Sequence, residues 1–390
     1  VAREITPEER QTAHAMLARA RVAMDAIADY DQEQVDRIAQ AIGWATANEK
    51  TFTRLAQMGV DESGLGDREG RPGKRFKIMG ILRDAMRQKS VGVIEDDPIK
   101  GLVKYAKPAG VIASLIPTTN PALTPPGTAV NALKCKDAVI FSPHPRAKKT
   151  TFETVRVMRE TLAKLGAPAD LLQCVEKPSI PLTNELMSIC DLTMATGGQP
   201  MVRAAYSSGK PAYGVGAGNS TIVIDETAKV EEAARNTRIS KTSDFGSGCS
   251  ADGNIVIASA IYDSMEKQLQ EEGGYLCNDA EKALLEKALW DNEGHRTINT
   301  VAVPAPRIAE IAGFEVPADT KFLMVDQQDI GPAHRFSSEK LCVVMALYKF
   351  EDFDQALQMV HDIYEVGGKG HSCGIYSFND DHIDALARVA

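Results

Sequence analysis

The sequence predicts an α/β protein with two doubly wound, mostly parallel sheets. Short apolar runs such as residues 110–116 and 221–224 have the composition of buried strands. Longer amphipathic segments such as residues 150–165 lie between such runs and have the period of helices. The chain of 390 residues is also longer than one hydrophobic core usually serves, since a domain holds roughly 150 residues.

The first half of the chain begins with helices and continues as a strand and helix alternation. Asp31 followed by Gln34 has the form of a capping box, and Val35, Ile38 and Ile42 then recur at helical spacing. Strands are predicted at residues 110–116, 137–141, 192–196 and 221–224, and helices at 125–133 and 150–165.

The second half is predicted to form another α/β series. It contains a helix at 230–241, strands at 253–259, 341–350 and 373–378, and a last helix at 380–390. Residues 273–307 have no strong period, so we expect surface helix and loop there. The change of series places a domain boundary near residue 227.

Composition and charge exclude several classes of protein. The net charge of −9 and the pI of 5.4 argue against nucleic acid or an anionic membrane as a partner. No apolar run approaches the roughly 20 residues of a membrane span, and no signal peptide is visible. The seven cysteines include no C-x-x-C pair and the histidines no H-x-x-x-H spacing. We therefore expect reduced thiols, a cytoplasmic protein and no metal site.

Cys249 lies in the segment 240–254, which is rich in glycine and serine and connects a predicted helix to a predicted strand. Small neighbours leave the sulfur reachable, and a glycine-rich bend can turn backbone N–H groups towards a bound anion. These features favour a nucleophilic thiolate. A buried structural cysteine is the alternative, because free cysteines are commonly buried.

Two further turns follow predicted strands, at the edge where open α/β sheets bind their ligands. Asn120 could donate its amide to a developing oxyanion, and the alternative is a simple Asn-Pro turn. Thr196, Gly197 and Gly198 open a predicted helix, whose N-terminus can meet a pyrophosphate. A full G-x-G-x-x-G motif is missing, so this pattern alone is weak.

Together these segments resemble the aldehyde dehydrogenase superfamily, specifically its CoA-acylating branch. The resemblance extends to the aldehyde dehydrogenase half of bifunctional alcohol/acetaldehyde dehydrogenases and to acylating sulfoacetaldehyde and succinate-semialdehyde dehydrogenases. It implies a nicotinamide-dinucleotide-binding domain at 1–227, a catalytic cysteine domain at 228–390 and an active site between them. The matching stretches, in family order, are 110–121, 140–147, 195–198, 205–212, 214–219, 240–254 and 368–371.

The resemblance assigns roles to residues at matching positions. It makes Cys249 the nucleophile, with the Asn120 side chain and the Cys249 backbone N–H as donors to the oxyanion. It implies NAD or NADP as cofactor and CoA as co-substrate. For Glu339, one of the cofactor-binding positions, a solvated surface carboxylate is the alternative. The cofactor-binding positions are Thr118, Ser142, His144, Pro145, Thr196, Gly197, Gly198, Gly216 and Glu339.

Val215 marks a departure from the hydrolytic members of the superfamily, which carry a glutamate there to activate water against the thioester. Valine cannot accept a proton, and losing a general base slows a step by about 10²–10⁴-fold. A thiol can then take the acyl group. We expect attack of the Cys249 thiolate on an aldehyde, hydride transfer to NAD(P)⁺ and acyl transfer to CoA, in a sequence that can also run in reverse.

Hydroxyl groups beside Cys249 predict a small polar or anionic aldehyde, because a pocket for a plain alkyl chain favours apolar side chains. Sulfoacetaldehyde and succinate semialdehyde are the leading substrates, and acetaldehyde or propionaldehyde is the apolar alternative. His371 is either a donor near the thiol or a packing residue. By resemblance, the wall of the acyl pocket consists of Ser243, Ser247, Gly248 and Ser250.

The choice between NAD and NADP stays open in the sequence. No glutamate stands near Pro145 to hold the ribose diol, and Arg146, Lys148 and Lys149 follow. This basic cluster suits the 2′-phosphate of NADP or the 3′-phosphate of CoA. A cationic start to the next helix is the alternative.

Other functions share this architecture. They are a phosphate-dependent semialdehyde or acyl-phosphate reductase, a non-acylating aldehyde dehydrogenase and a scaffold protein that kept the fold. The sequence stops at Ala390 within a predicted helix, ahead of the terminal segment and oligomerisation strand of the family. We expect a homo-oligomer, either a dimer or a tetramer.

Overall fold

The computed structural model of the protein describes residues 3–390, which form two compact units. One consists of the residues up to Gly64 together with Arg71–Gly216, and the other of Leu65–Gly70 together with Ala217–Ala390. Each unit has its own parallel sheet and its own hydrophobic core. The predicted α/β fold with two doubly wound sheets is thereby confirmed.

The first unit contains an antiparallel hairpin and a five-stranded parallel sheet. Its strands are β1 (Val93–Asp97), β2 (Leu102–Tyr105), β3 (Val111–Ile116), β4 (Ala138–Pro143), β5 (Leu172–Cys174), β6 (Leu192–Thr196) and β7 (Ala212–Val215). Strands β1 and β2 pair with each other, and the sheet has the order β5–β4–β3–β6–β7. The chain thus winds outwards from β3 in one direction and from β6 in the other. All six residues of the central strand β3 are buried, as its apolar run predicts.

The helices of the first unit cover this sheet and begin where the sequence places caps. At the second helix, Gln34 N donates to Asp31 Oδ1 and Asp31 N donates to Gln34 Oε1, each over 2.9 Å, so the predicted capping box is confirmed. The helices are α1 (Pro7–Asp25), α2 (Gln32–Ala47), α3 (Glu49–Ser63), α4 (Arg75–Met86), α5 (Thr124–Lys134), α6 (Lys148–Lys164), α7 (Ile180–Ile189) and α8 (Gln199–Tyr206).

The second unit is built on a six-stranded sheet with parallel pairing throughout. Its strands are β8 (Thr221–Ile224), β9 (Asn254–Ala258), β10 (Gly274–Leu276), β11 (Phe322–Asp326), β12 (Val344–Phe350) and β13 (Cys373–Tyr376). They lie in the order β10–β11–β12–β9–β8–β13. Its helices are α9 (Val230–Thr242), α10 (Tyr262–Glu271), α11 (Asp279–Leu289), α12 (Ala305–Ala312), α13 (Phe353–Val366) and α14 (Asp380–Val389).

The second unit begins after Gly216, whereas the sequence predicts a boundary near residue 227. The difference arises because β8 pairs with β9 and β13 of the second sheet. Residues 65–70 join the second unit through two backbone amides. Gly66 N donates to Ala302 O over 2.9 Å, and Asp67 N donates to the Asp244 carboxylate over 2.7 Å. Such a crossing of a short segment leaves no trace in local sequence pattern.

The stretch 273–307 is more ordered than predicted. It contains the short strand β10, the helix α11 and the start of α12. Within residues 3–390, none of the helices combines the length and the apolar character that crossing a membrane requires.

Candidate active site

The predicted cofactor residues of the first unit follow the carboxyl ends of its parallel strands. The strand order puts a switch point between β3 and β6, where open α/β sheets bind ligands in a crevice. Asn120 and the half-buried Thr118 follow β3, and the turn formed by Gly197 and Gly198 follows β6. Gly216 comes directly after β7. The sheet therefore gathers these positions at one edge.

A cavity of about 440 Å³ opens beside this edge. Its surface is largely apolar, with Ile116 from β3, Ile180 from α7 and Met201 from α8 in its lining. A hydrogen bond of 2.8 Å joins the hydroxyl groups of Ser142 and Thr183 on its wall. A largely apolar cavity with a few hydroxyl groups suits a flat heterocycle such as adenine. Three of the predicted cofactor residues line it: Ser142, His144 and Pro145.

His144 is held as a hydrogen-bond acceptor at the start of the segment that leads into α6. Burial, and secondly the Arg146 charge, lower the pKa of His144, and its Nδ1 accepts from Arg146 N over 3.1 Å. The Arg146 guanidinium donates to Ser63 O over 2.8 Å. One member of the predicted phosphate-binding cluster is therefore already bonded to the carboxyl end of α3, whereas Lys148 and Lys149 are exposed.

The turn before α8 keeps its backbone open to a ligand. Gly198 is the N-cap residue of α8. A Cβ on Gly197 would lie 2.9 Å from Met201 Sδ, and one on Gly216 would lie 3.0 Å from Gln199 Nε2. These side-chain tips crowd both glycines, so a larger residue would narrow the approach to the helix N-terminus.

In the turn after β3, the side chain of Asn120 has a defined orientation. Lys74 Nζ donates to Asn120 Oδ1 over 3.0 Å, and Asn120 Nδ2 makes a long contact of 3.4 Å with Thr119 Oγ1. Asn120 O accepts from Leu123 N and Thr124 N, which leads the chain into α5. The amide NH₂ is therefore the part of this side chain left to serve a ligand.

In the second unit, Cys249 sits on a loop that the sequence folds in an unusual way. After α9 ends, Asp244, Phe245 and Gly246 have positive φ angles of 51°, 51° and 69°. A Cβ on Gly246 would lie 2.6 Å from the Cys342 carbonyl oxygen, so both its φ angle and the lack of space require glycine. This bend carries the chain from the end of α9 to the half-buried Cys249.

Three loops meet around Cys249. A Cβ on Gly218 would lie 1.7 Å from the Cys249 carbonyl oxygen, and one on Gly368 would lie 2.5 Å from the Gly218 carbonyl oxygen. Asn219 bridges the same region, because its Nδ2 donates to Ser337 O over 2.9 Å and to Gly367 O over 3.1 Å. Backbone contacts this close fix the position of the nucleophile loop.

Glu339 lies within this arrangement and is not a free surface carboxylate. Its Oε1 accepts from Gly218 N over 2.6 Å. Burial raises the pKa of Glu339, while the Gly218 and Asn219 amides and the charges of Lys241 and Arg296 oppose the rise. The solvated alternative considered for this residue is therefore wrong in this structure.

The predicted acyl-pocket residues have different surroundings. Ser247 is 1% exposed, and its hydroxyl donates to Asp244 Oδ2. It therefore has no free hydroxyl for a substrate, which corrects its predicted role. Ser243 and Ser250 are exposed, and Gly248 is half-buried. His371 is half-buried, and among the described residues its buried Nδ1 has no hydrogen-bond partner.

Five of the six other thiols make poor nucleophiles because their pKa values are raised. Burial raises the pKa of Cys174, Cys190 and Cys277 to about 12. It also raises the pKa of Cys135 and Cys373. A thiol that stays protonated at neutral pH does not attack carbonyl carbons.

The fold and the loops around Cys249 do not by themselves identify the family of the chain, and comparison with known protein families does. The aldehyde dehydrogenase family matches residues 2–276. The chain belongs to this family.

Two curated relatives show where it lies within the aldehyde dehydrogenases. It is 40% identical over 375 residues to a sulfoacetaldehyde dehydrogenase from Acholeplasma sp., covering 95% of this chain and 77% of that protein. It is 39% identical over 381 residues to an acylating sulfoacetaldehyde dehydrogenase from Bilophila wadsworthia, covering 96% of this chain and 82% of that protein. The predicted resemblance to the CoA-acylating branch is confirmed.

Solved structures of aldehyde dehydrogenases match the whole architecture. An acetylating aldehyde dehydrogenase from Geobacillus thermoglucosidasius superimposes with a TM-score of 0.93 at 34% identity, covering 97% of this chain and 84% of that chain. A propionaldehyde dehydrogenase from Rhodopseudomonas palustris, solved with CoA and an acylated cysteine, gives a TM-score of 0.85 at 28% identity, covering 97% and 85%.

Sequence reasoning missed the buried lysines of this aldehyde dehydrogenase. Lys241 and Lys340 are each 2% exposed and line a small cavity together with Cys249 and Glu339. Lys340 Nζ donates to Gly253 O, Asn254 Oδ1 and Ser338 O. Within residues 3–390, Lys241 has no comparable set of hydrogen-bond acceptors, and burial lowers its pKa to about 8. A lysine in a pattern of polar residues gives no signal that it will be buried.

Proposed function

We propose that the chain oxidises a small polar or anionic aldehyde to an acyl-CoA, using NAD(P)⁺ and CoA and passing through a thioester on Cys249. The Cys249 sulfur bonds to the aldehyde carbon, and the carbonyl oxygen becomes an oxyanion. A nicotinamide dinucleotide held by the turn at 196–198 and by Glu339 would supply the acceptor for the hydride that leaves this carbon. The CoA thiol gives its proton to solvent or to a base, and its sulfur bonds to the acyl carbon. The bond to the Cys249 sulfur then breaks and returns the Cys249 thiolate, so one turnover releases one proton.

The single observation that carries the acylating proposal is Val215. In this position a carboxylate would activate water, and a valine that is 40% exposed offers no proton acceptor. Hydrolysis of the thioester then lacks the rate acceleration of about 10²–10⁴-fold that a general base typically contributes. A relative solved with CoA and an acylated cysteine supports the same order of events.

The loops of the second unit support Cys249 as the nucleophile. Glycines at 218, 246 and 368 permit the close backbone packing, and the other cysteines either have raised pKa values or, like Cys342, are fully buried. We propose that the Cys249 backbone N–H and the Asn120 side chain bind the oxyanion, since removing one such donor costs about 10²–10³-fold in kcat.

The first unit fits a nicotinamide dinucleotide. We propose that the cavity of about 440 Å³ takes the adenosine part, with Ser142, His144 and Pro145 on its wall. The pyrophosphate would lie at the turn of Thr196, Gly197 and Gly198, near Thr118 and Gly216. Glu339 would accept from the ribose hydroxyls of the nicotinamide half. The cofactor is NAD or NADP, because the charges of Lys148 and Lys149 suit either the 2′-phosphate of NADP or the 3′-phosphate of CoA.

The substrate proposal rests on the relatives and on two side chains. Two relatives act on sulfoacetaldehyde according to their names. Ser250 is exposed, and His371 has a buried nitrogen without a partner among the described residues, so both can hydrogen-bond a polar substrate. A site built for such bonds discriminates strongly against analogues that lack them. The cytoplasmic location and the homo-oligomer stay predictions.

One coupled assay tests this proposal. NAD(P)H formation is followed with sulfoacetaldehyde, succinate semialdehyde and propionaldehyde, each with CoA, with inorganic phosphate and with neither. We expect turnover to require CoA, with the highest kcat/KM for an anionic aldehyde. Turnover with phosphate in place of CoA would support the acyl-phosphate alternative, and equal turnover without either would support a hydrolytic enzyme.

A further inference from the structure

A buried ammonium group holds the side chain of Asn120 in one orientation. Lys74 is 8% exposed and ends a short 3-10 helix, Arg71–Lys74, directly before α4. Its Nζ donates to Asn120 Oδ1 over 3.0 Å. Both residues line the same small cavity with Phe52 and Leu55.

The chemistry of the two groups fixes which end of the amide points where. An ammonium has three donors and no acceptor, so the opposite orientation of the amide would set NH₂ against NH₃⁺. Asn120 must therefore keep its oxygen towards Lys74 and its NH₂ away from it. An amide whose oxygen is bonded to a cation is also a stronger N–H donor, because hydrogen bonds in a chain polarise one another.

The backbone around Asn120 supports this arrangement. Gly59 of α3 packs against Pro121, since a Cβ there would lie 3.1 Å from Pro121 Cγ. The Asn120 carbonyl accepts from two amides at the start of α5. The main chain is thus fixed by packing and capping, and the contact to Lys74 fixes the side-chain amide.

We propose that Lys74 is a positioning residue for the reaction: it orients and polarises Asn120 so that the amide NH₂ is ready for the oxyanion. This inference rests on the role proposed for Asn120. A group that acts only when charge develops on the substrate affects kcat and leaves KM for the aldehyde nearly unchanged.

A double-mutant cycle tests the inference. Lys74→Met is expected to lower kcat by roughly tenfold or more, which is part of the 10²–10³-fold loss expected for Asn120→Ala, with KM changed less than threefold. In the Asn120→Ala background the same substitution should lower kcat by less than about twofold, because the residue it acts through is gone. Lys77→Met changes an exposed lysine in the helix α4 that follows Lys74. It is the matched control and should have the kinetics of the wild type.

The outcomes separate the two proposals. If Asn120→Ala lowers kcat by less than fivefold, the proposed role of Asn120 in binding the oxyanion fails. The role of Asn120 stands if Asn120→Ala lowers kcat by at least 10²-fold. The role of Lys74 is then overturned if the kcat of Lys74→Met stays within twofold of the wild type. It is also overturned if Lys74→Met lowers kcat equally in the wild-type and Asn120→Ala backgrounds.

A stability measurement keeps the inference testable if Lys74→Met does not fold. Asn120→Asp replaces the NH₂ by a second oxygen, so Lys74 keeps its acceptor and gains an ion pair. We expect a melting temperature at or above that of the wild type together with a loss of activity of at least 10²-fold. Asn120→Leu, which cannot accept, should melt lower. Equal destabilisation by both substitutions would show that Lys74 does not bind the amide oxygen.

Discussion

The backbone N–H of Gly218 donates a hydrogen bond of 2.6 Å to the Glu339 carboxylate. Gly218 also approaches the Cys249 carbonyl so closely that a Cβ would overlap it. One residue therefore connects the carboxylate proposed to bind the cofactor ribose with the loop that carries the nucleophile. Because that connection is made by backbone atoms, its geometry cannot be relieved by a change of rotamer.

Gly218→Ala is expected to abolish most of the activity. The new Cβ would meet a backbone oxygen at 1.7 Å, so the cysteine loop must move, and a misplacement of about 1 Å can cost about 10²-fold in rate. Steady-state kinetics and thermal unfolding measure the effect. Gly367→Ala is the matched control, because that glycine has extended backbone and no atom within 4 Å of a Cβ. Wild-type kinetics in Gly218→Ala would contradict the packing described.

Lys241→Met is expected to stabilise the protein at pH 7. Burial lowers the pKa of Lys241 from 10.5 to about 8, so the unfolded chain binds more protons than the folded one between these values. The wild type therefore gains stability as the pH rises from 8 to 10.5, and below pH 8 the full cost of roughly 3 kcal/mol is present. Lys241 faces Asp252, Glu339, Cys342 and Arg296.

Thermal unfolding of both proteins between pH 7 and pH 10 checks the prediction for Lys241. The melting temperature of Lys241→Met should exceed that of the wild type at pH 7, and the difference should shrink towards pH 10. Methionine has a similar volume, so little packing is lost. A lower melting temperature for the variant at pH 7 would show that its ammonium stabilises the fold.

Val215→Glu is expected to raise the rate at which free acid forms without CoA. The position is partly exposed, so an added carboxylate stays solvated and can accept a proton from water. Val215→Gln has nearly the same shape without the base and is the control. Product analysis by chromatography measures acid and acyl-CoA separately. If both variants release acid at the wild-type rate, the missing base does not explain the preference for CoA.

The fold was largely predictable because its strands are either strongly apolar or flanked by clear helices. The strands β3, β4, β9 and β12 are buried runs with few polar residues. The short strand β10 has only three residues, too few for a period to show. The pairing of β8 with the second sheet, which sets the boundary of the units, depends on long-range contacts.

The residues of the candidate site could be predicted where the residue type itself indicates a chemical role. They could not be predicted where the role depends on whether the side chain is buried. Cys249 and Asn120 stand out on loops that follow regular elements. The sequence predicts that the Ser247 hydroxyl can bond a substrate, but this hydroxyl donates to the Asp244 carboxylate. The left-handed backbone of Asp244 and Phe245 brings the two groups together, and the sequence gives no sign of this turn. Lys74 and Lys241 gave no signal, because a lysine in a mixed pattern is expected on the surface.

The central claim is tested most directly by trapping the acyl group. The protein is incubated with its aldehyde and NAD(P)⁺ in the absence of CoA, and peptide mass spectrometry locates the added mass before and after CoA is supplied. We predict a single acyl adduct on Cys249 that is discharged to acyl-CoA on addition of CoA, and no adduct in Cys249→Ala. An adduct on another cysteine, or one lost as free acid at the same rate with and without CoA, would contradict the account.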